Sequence, residues 1–283
     1  MSSADQQYQL LDAGNGRKLE KFGPYVLDRP CAQAVWRQTR PLSFWQKADA
    51  SFTREQKDNR WTFQKRLPSE WVCELNEILF RIELTDFGHV GVFPEHAFAW
   101  REFQKLAKAA KRPLCVLNLF AYSGGATLAA ASVKAEVCHL DASKKMVDWA
   151  RKNAALNHLE EAPIRWIIDD VQKFLSREIR RKRQYDFIIL DPPSFGRGTN
   201  KELFQIDDNM LNLLELCRQV LGDQPVGVLL SCHTPGYTPT VLTHLLSQIF
   251  KKGKITAGEM LLEAVPPALS VPSGTYALLN FEN

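Results

Sequence analysis

Short apolar runs alternate with helical patterns along the second half of the 283-residue sequence, and this alternation restricts the fold more than any other feature. Helical patterns separate the first six of seven apolar runs, which occupy residues 115–120, 135–140, 164–168, 185–190, 226–230, 255–262 and 275–281. Apolar strands that alternate with helices predict a parallel sheet with both faces covered. The predicted fold class is therefore α/β.

The last two apolar runs have no helix between them. Their connection, 265–274, is short and contains three prolines. A parallel crossover needs about a dozen residues or more, so these two strands are predicted to be antiparallel neighbours. The sequence thus predicts six alternating strands that end in an antiparallel hairpin strand.

The first part of the sequence follows a different pattern. Short β-like runs at 48–53, 60–65 and 78–84 predict a mainly β subdomain over residues 1–93. No long amphipathic helix precedes about residue 97, and residues 94–112 are predicted as a connecting helix. Residues 113–283 then form the second domain.

Composition excludes several classes of protein. With 45% hydrophobic and 24% charged residues, the chain is typical of a globular protein. Its six cysteines lack CxxC or zinc-site spacing, which predicts reduced thiols, no metal and a cytoplasmic location. The uncharged stretch 113–132 contains polar residues and a glycine pair, so we expect a strand, a turn and a helix rather than a membrane span. The first ten residues show no secretory signal pattern.

Positive charge is concentrated near the N-terminus. Residues 1–112 contain 18 Lys and Arg against 14 Asp and Glu, whereas residues 113–283 contain 18 of each. Segment 37–66 has eight basic residues with five aromatic residues among them, a composition that suits phosphates and unstacked bases. A β-sheet with aromatic side chains inside and basic ones outside explains the same pattern without a ligand, and both interpretations stay open. A second basic run, 177–183, is explained by cations at the C-terminal end of a helix.

Candidate ligand-binding residues follow the predicted strands. Gly124 and Gly125 come after the first strand and permit a tight turn into a helix, although the sequence there is not GxGxxG. Asp141 ends the second strand, where a carboxylate can accept the hydroxyls of a ribose. Asp170, after the third strand, can accept an adenine amino group or cap the next helix. The neighbouring Ala142 and Val171 are predicted as apolar walls for the adenine.

The fourth strand ends in the most specific motif, LDPPSFGRG, at residues 190–198. Pro192 and Pro193 fix the backbone immediately after Asp191. Rigid carbonyl and carboxylate acceptors at a sheet edge are preorganised to stabilise a reacting amine or ring. The three residues are therefore predicted to be catalytic.

NLFAYSGG, LDAS, IIDD and LDPPSFGRG, in this order, resemble the S-adenosylmethionine (SAM)-dependent methyltransferases that act on cytosine C5 of large-subunit ribosomal RNA, and their uncharacterised relatives. The resemblance covers most of the chain, but no PUA domain is present. It implies a Rossmann-like class I methyltransferase sheet, SAM as cofactor and RNA, in particular ribosomal RNA, as partner. Residues 113–283 are then expected to bind SAM, and residues 1–93 are expected to cap the site and contact RNA. The implied SAM-binding residues are Phe93, Glu95, Asn118, Phe120, Tyr122, Gly124, Asp141, Asp170 and Asp191. His96 stands where relatives usually have Gln.

Two chemistries of methyl transfer stay open. C5 methylation needs a thiolate that adds to C6, and Cys232, after the fifth strand, matches the nucleophile of the cytosine enzymes. Amino-nitrogen methyltransferases use Asp/Asn-Pro-Pro-aromatic, but here Ser194 occupies the aromatic position and Phe195 follows it. The alternatives to an RNA methyltransferase are an NAD(P)-dependent oxidoreductase and a non-catalytic RNA-binding protein with this fold.

Overall fold

The computed structural model describes residues 7–55, 58–197 and 203–281. The chain divides into two compact units, one comprising residues 1–97 with 261–273 and the other 98–260 with 274–283. The division thus falls four residues after the predicted end of the first domain, and part of the terminal hairpin joins the first unit. The functions predicted for the two domains stay predictions.

The first unit is mainly β, as the short β-like runs predict. Its five-stranded sheet has the order β1-β2-β3-β4-β5, and a separate hairpin is formed by β6 and β7. The elements are β1 (Tyr8–Gly14), β2 (Arg17–Phe22), β3 (Tyr25–Pro30), α1 (Leu42–Trp45), β4 (Ala50–Glu55), β5 (Asp58–Phe63), β6 (Trp71–Leu75) and β7 (Ile78–Ile82), followed by a 3-10 helix at Pro94–His96. The short β-like runs at 48–53, 60–65 and 78–84 do not include β1 to β3, because charged residues interrupt the apolar pattern of these strands. One of these, Glu20, is fully buried and paired with Arg29 and Lys18.

The second unit contains a seven-stranded sheet of order β10-β9-β8-β11-β14-β16-β15. Its strands, with a small additional hairpin, are β8 (Cys115–Leu119), β9 (Glu136–Asp141), β10 (Ile164–Ile168), β11 (Phe187–Leu190), β12 (Phe195–Arg197), β13 (Leu203–Gln205), β14 (Gly227–Cys232), β15 (Lys254–Leu262) and β16 (Val271–Asn280). The first five strands of the order are parallel, and β16 pairs antiparallel with β14. The predicted α/β class and antiparallel terminal strand are confirmed.

Helices cover both faces of this sheet. They are α2 (Ala97–Ala109), α3 (Gly125–Ala131), α4 (Lys144–Leu156), α5 (Val171–Arg180), α6 (Ile206–Val220) and α7 (Pro239–Ile249). Alternate residues of the strands point into two separate apolar clusters, as Leu117 and Val116 of β8 show. The predicted connecting helix 94–112 is shorter than expected, because a 3-10 turn precedes α2. Within the described part of the chain, none of the helices has the length and apolarity needed to cross a membrane.

Candidate active site

The parallel strands bring the predicted ligand-binding residues to one edge of the seven-stranded sheet. β8, β9, β10, β11 and β14 run in the same direction, so their carboxyl ends lie along this edge. Segment 120–125 follows β8, Asp170 follows β10 and Asp191 follows β11, while Asp141 and Cys232 are the last residues of β9 and β14. Ligands of open parallel sheets bind at this edge.

The turn between β8 and α3 has an unusual backbone. Phe120, Tyr122 and Gly124 all have a positive φ, of 55°, 49° and 92°. Non-glycine residues in this region persist only where the surrounding structure determines their conformation. Gly125 begins α3 against the ring of Trp100, and a Cβ atom at this position would overlap that ring. The turn therefore has a fixed shape that depends on its packing.

Buried polar side chains support this turn. Asn118, only 3% exposed, donates a hydrogen bond to Thr127 Oγ1 (2.9 Å), which lies 2.8 Å from His139 Nδ1. Asn153 donates to the carbonyl oxygen of Ser123 (2.9 Å). The role implied for Asn118 in SAM binding stays a prediction, and the structure adds a supporting role beneath the turn.

His139 is neutral in this network. Burial, together with a smaller contribution from the positive charge of Arg151, lowers the pKa of His139 to about 3. Among the described residues, His139 Nε2 has no hydrogen-bond partner. The sequence analysis missed His139 and Thr127, although a histidine inside an otherwise apolar strand was a usable signal.

Asp141 fixes the backbone on both sides of the sheet edge. Its Oδ2 accepts a hydrogen bond from the Tyr122 N–H (2.9 Å), and its Oδ1 accepts one from the Ser143 N–H (2.8 Å). Burial raises the pKa of Asp141, while these two hydrogen bonds oppose the increase. Each carboxylate oxygen keeps a second lone pair, which could accept a sugar hydroxyl.

Asp170 has the capping role that the sequence predicts as one of two possibilities. Its Oδ1 accepts a hydrogen bond from the Lys173 N–H (3.0 Å) at the start of α5. The carboxylate keeps acceptor capacity for an adenine amino group. Val171 is buried, which limits its surface as an adenine wall, whereas Ile168 is 43% exposed at the end of β10. The sequence analysis missed Ile168, because its place in an apolar run indicated only a core residue.

Asp191 lies between residues from the end of β14. Its Oδ1 accepts a hydrogen bond from Ser231 Oγ (2.8 Å), and its Oδ2 lies 3.7 Å from His233 Nε2. Ser194 Oγ and Thr234 Oγ1 form a further hydrogen bond of 2.7 Å. The DPPS segment is thus joined to β14 by side chains that the sequence analysis did not select.

The segment after Asp191 becomes progressively more exposed. Pro192 is buried, Pro193 and Ser194 are exposed, and Phe195 at the start of β12 is 54% exposed. An exposed ring at a sheet edge can stack on an unpaired base. This places an aromatic platform one residue later than in the Asp/Asn-Pro-Pro-aromatic pattern.

Cys232 lies in the apolar core. It is 1% exposed in the cluster that contains Leu190, and its Sγ accepts a hydrogen bond from the Thr234 N–H (3.4 Å). Burial raises the pKa of the thiol, and the charges of Asp191 and Asp207 raise it further. Reactive cysteines usually occupy electropositive, partly exposed surroundings. The nucleophilic role stays a prediction, and these surroundings oppose the ionised thiol.

Phe93, Glu95 and His96 belong to the first unit. The buried Glu95 accepts a hydrogen bond from Ser273 Oγ (2.8 Å), and the Phe93 ring lies 5.3 Å from the ring of His89. The roles implied for Phe93 and Glu95 in SAM binding stay predictions.

Comparisons with known proteins agree with this geometry. A family model described as S-adenosylmethionine-dependent methyltransferase matches residues 50–248. The crystal structure of a SAM-dependent methyltransferase from Agrobacterium tumefaciens is 39% identical with a TM-score of 0.93, and the match covers 99% of this chain and 92% of that one. The tRNA (uracil-54, C5)-methyltransferase of Pyrococcus abyssi has a similar fold, with 12% identity, a TM-score of 0.53, and coverage of 94% of this chain and 60% of that one.

Curated relatives are similar over part of their length. The ribosomal RNA large subunit methyltransferase K/L of Pseudoalteromonas atlantica is 34% identical over 178 residues, which are 62% of this chain and 22% of that protein. The K/L protein of Syntrophotalea carbinolica is 33% identical over 153 residues, 53% of this chain and 20% of that protein. The chain thus spans about a fifth of the length of these relatives.

Proposed function

Since this chain belongs to the family of SAM-dependent methyltransferases, we propose that it transfers the methyl group of SAM to a base of ribosomal RNA. Family membership makes SAM the cofactor and does not favour the oxidoreductase alternative. The observation that carries the proposal is the row of Asp141, Asp170 and Asp191 at one sheet edge, beside the strained β8–α3 turn. RNA as the acceptor is supported by the names of the K/L relatives. The cytoplasmic location remains part of the proposal.

The residues at the edge fit SAM. We assign Asp141 to the ribose hydroxyls, because its oxygens are already oriented by two backbone N–H groups and keep spare lone pairs. Asp170 is assigned to the adenine amino group, with Ala142 and Ile168 as apolar neighbours of the ring. Phe120, Tyr122 and Gly124 form the fixed turn assigned to the methionine part. SAM supplies the electrophilic methyl group when it is bound.

The acceptor amine is assigned to the Asp191 side of the edge. Ser231 orients the carboxylate, so Asp191 and the rigid carbonyls of the DPP segment can accept hydrogen bonds from an amino group without reorganisation. As the nitrogen forms its bond to the methyl carbon, the bond from that carbon to sulfur breaks and the nitrogen loses a proton. Asp191 is positioned to receive that proton.

Between C5 of cytosine and an amino nitrogen, the surroundings of Cys232 support the amino nitrogen. The C5 route needs a thiolate that adds to C6, and both burial and neighbouring carboxylates raise the pKa of this thiol. The amino route needs acceptors for hydrogen bonds and a proton, which Asp191 and the DPP segment provide.

The first unit supports RNA as the partner. Trp45 and Phe52 are buried, and Phe44 and Trp61 are half-buried. Packing therefore explains four of the five aromatic residues of segment 37–66, whereas Phe63 is 51% exposed. Arg54, Arg60 and Arg66 are exposed in the same segment, and their positive charge favours phosphates.

Transfer of tritiated methyl groups tests the proposal. The protein is incubated with [methyl-³H]SAM and with separate pools of ribosomal RNA, protein and small metabolites from cells that lack it. We expect label in ribosomal RNA, and nucleoside digestion identifies the modified base. Label confined to protein or metabolites would contradict the proposal. RNA binding without label in any pool would favour a non-catalytic RNA-binding protein.

The variant Asp191→Asn tests the role of the carboxylate. It keeps the size and most hydrogen bonds of the side chain but removes its charge and its ability to accept a proton. We expect this variant to bind SAM and to label RNA at a much lower rate. Equal rates of RNA labelling by the wild type and by Asp191→Asn would show that Asp191 does not accept the proton.

A further inference from the structure

A groove between α5 and α6 of the second unit is lined by positive side chains. Its cavity has a volume of about 460 Å³, and Lys173, Arg177 and Arg180 of α5 lie along it. Asn212 and Leu216 line it from α6. Among the described residues, its lining contains no acidic side chain. A concave surface with this charge favours an anionic ligand.

The three cations form a stripe rather than a cluster in sequence. Positions 173, 177 and 180 are four and three residues apart, so they lie on one face of the helix. Seven residues at about 1.5 Å each separate the first from the last by about 10 Å along the axis. One strand of duplex DNA carries a phosphate about every 3.4 Å of axis. A stripe of about 10 Å is therefore long enough to contact more than one phosphate of a nucleic-acid strand.

Two other cations of the basic run 177–183, Arg181 and Arg183, do not line the groove. Arg181 forms an ion pair with Glu178 (3.2 Å), and Arg183 lies by a different small cavity, next to Tyr185. Cations at the helix end also favour the helix dipole, as the sequence analysis states. Lys173, which lies outside that run, completes the stripe, so the groove could not be recognised from the run alone.

The walls of the groove are fixed by contacts between its helices and strands. Gln172 donates a hydrogen bond to Asn209 Oδ1 (2.7 Å), which joins α5 to α6. Arg177 forms an ion pair with Asp169, which orients its guanidinium group. A preorganised arginine loses less conformational freedom when it binds a phosphate.

We propose that the α5–α6 groove binds phosphodiester groups of the RNA strand. Arg177 and Arg180 donate hydrogen bonds to phosphate oxygens, Lys173 adds a point charge, and Leu216 offers apolar contact to a ribose. This inference rests on the proposed function, because RNA is the polyanion concerned. It adds a binding surface on the catalytic unit to the basic segment 37–66.

The test compares two double variants of the full chain that lose equal charge. Lys173→Ala/Arg180→Ala removes two cations of the groove, and Lys251→Ala/Lys252→Ala removes two exposed cations that do not line it. The affinity for a fluorescent single-stranded RNA of ribosomal sequence is measured from low to high salt. Each lost phosphate contact lowers the magnitude of the log–log slope by about 0.7. We therefore expect a decrease of about 1.4 for the groove variant and no change for the control.

An unchanged slope for the groove variant, or an equal decrease for both variants, would overturn the proposal. Titration with inorganic phosphate alone identifies the source of the phosphate. Tight binding that the groove variant abolishes would indicate a small-anion site instead of an RNA site. SAM affinity and the thermal midpoint report whether each variant is folded. Methyl transfer to RNA by the wild type is measured separately. A wild type that methylates RNA while the groove variant keeps its salt slope would contradict only the binding role of the groove, whereas a wild type that does not methylate RNA would contradict the proposed function.

Discussion

The two ends of the sheet edge differ in how their functional groups are fixed. The proposed cofactor side, residues 118–125 and 141–143, is a turn with three positive-φ residues above a buried polar network. The proposed acceptor side, residues 191–195 and 231–234, combines the buried Ser231 and Cys232 of β14 with the exposed Pro193, Ser194 and Phe195. The cofactor side is therefore built into the core, whereas residues 193–195 of the acceptor side lie on the surface.

This difference separates two kinds of mutational effect. A substitution on the cofactor side removes hydrogen bonds that also determine the backbone, so stability and SAM affinity should fall together. A substitution of the exposed residues 193–195 on the acceptor side leaves the core intact and should change only the affinity for RNA and the rate of methyl transfer to it. Substitutions of four residues test this distinction.

Asp141→Ala should have the largest effect. It removes the acceptor of the Tyr122 and Ser143 N–H groups and the proposed ribose ligand. Hydrogen bonds to a charged group contribute about 1.5–3 kcal/mol each. We expect SAM affinity to fall by about 100-fold or more, with a parallel loss of unfolding free energy. Calorimetry and denaturant unfolding measure the two, with the exposed Asp148→Ala as control. A loss of SAM affinity without a loss of unfolding free energy would show that the two properties do not depend on the same hydrogen bonds.

His139 should make the cofactor side sensitive to acid. Its pKa is lowered to about 3 in the folded state, against about 6.5 when unfolded. A depressed pKa gives stability that is present above pH 6.5 and is lost as the pH falls towards 3. Between pH 7 and pH 5 the loss amounts to about 2 kcal/mol.

A His139→Gln variant cannot titrate and isolates this contribution. On going from pH 7 to pH 5, the unfolding free energy of the wild type should fall by about 2 kcal/mol more than that of the variant. Urea unfolding at several pH values measures this difference. A difference that stays constant with pH would show that His139 does not titrate as a buried neutral group.

Phe195→Ala tests the acceptor side. Base–aromatic stacking contributes about 1–3 kcal/mol by alanine substitution, so we expect the KM for RNA to rise by about tenfold. SAM affinity and unfolding free energy should not change, because the ring is exposed. Phe195→Tyr keeps the ring and should restore the KM, whereas Leu203→Ala, on the paired strand β13, removes an exposed apolar side chain without a ring. An equal effect of the two alanine variants would exclude stacking.

Cys232→Ser should have the smallest effect on methyl transfer. The substitution keeps an acceptor for the Thr234 N–H but puts a hydroxyl into the apolar core, so it should cost about 1–3 kcal/mol of stability. If the acceptor is an amino nitrogen, we expect the rate of methyl transfer to change by less than about threefold. Abolished transfer with normal affinities for RNA and SAM would instead establish the C5 route and a thiolate nucleophile.

Local patterns were sufficient to predict the sheet of the second unit. β11 is a continuous apolar run, since both of its faces are covered. β10, at the end of the sheet, contains the exposed Arg165 and was recognised from its remaining apolar residues. Asp141 and Asp191 could be selected because a carboxylate that follows a buried strand is placed at the sheet edge. The limits of β11 were less accurate, because Tyr185 makes only an isolated bridge to Leu221.

Long-range pairing explains what the sequence did not indicate. Glu20 is buried with Lys18 of its own strand and Arg29 of β3 as ion-pair partners, and Arg29 reaches it only when β3 pairs with β2. Thr127 contacts Asn118 and His139 only after β8, β9 and α3 have packed. The groove likewise requires α6 beside α5.

The first unit is formed by two segments that are far apart in the chain, residues 1–97 and 261–273, and this affects its folding during biosynthesis. The Val265 N–H donates a hydrogen bond to the carbonyl oxygen of Leu10 (3.0 Å), and Leu262 and Val271 pack with Leu10 in one apolar cluster. A ribosome that adds about 5–20 residues per second needs roughly 13–50 s to synthesise the chain between these partners. During this time β1 lacks its late neighbours, so the nascent first unit exposes apolar surface to which chaperones can bind. Ribosomes stalled before residue 261 should therefore carry an incompletely folded first unit.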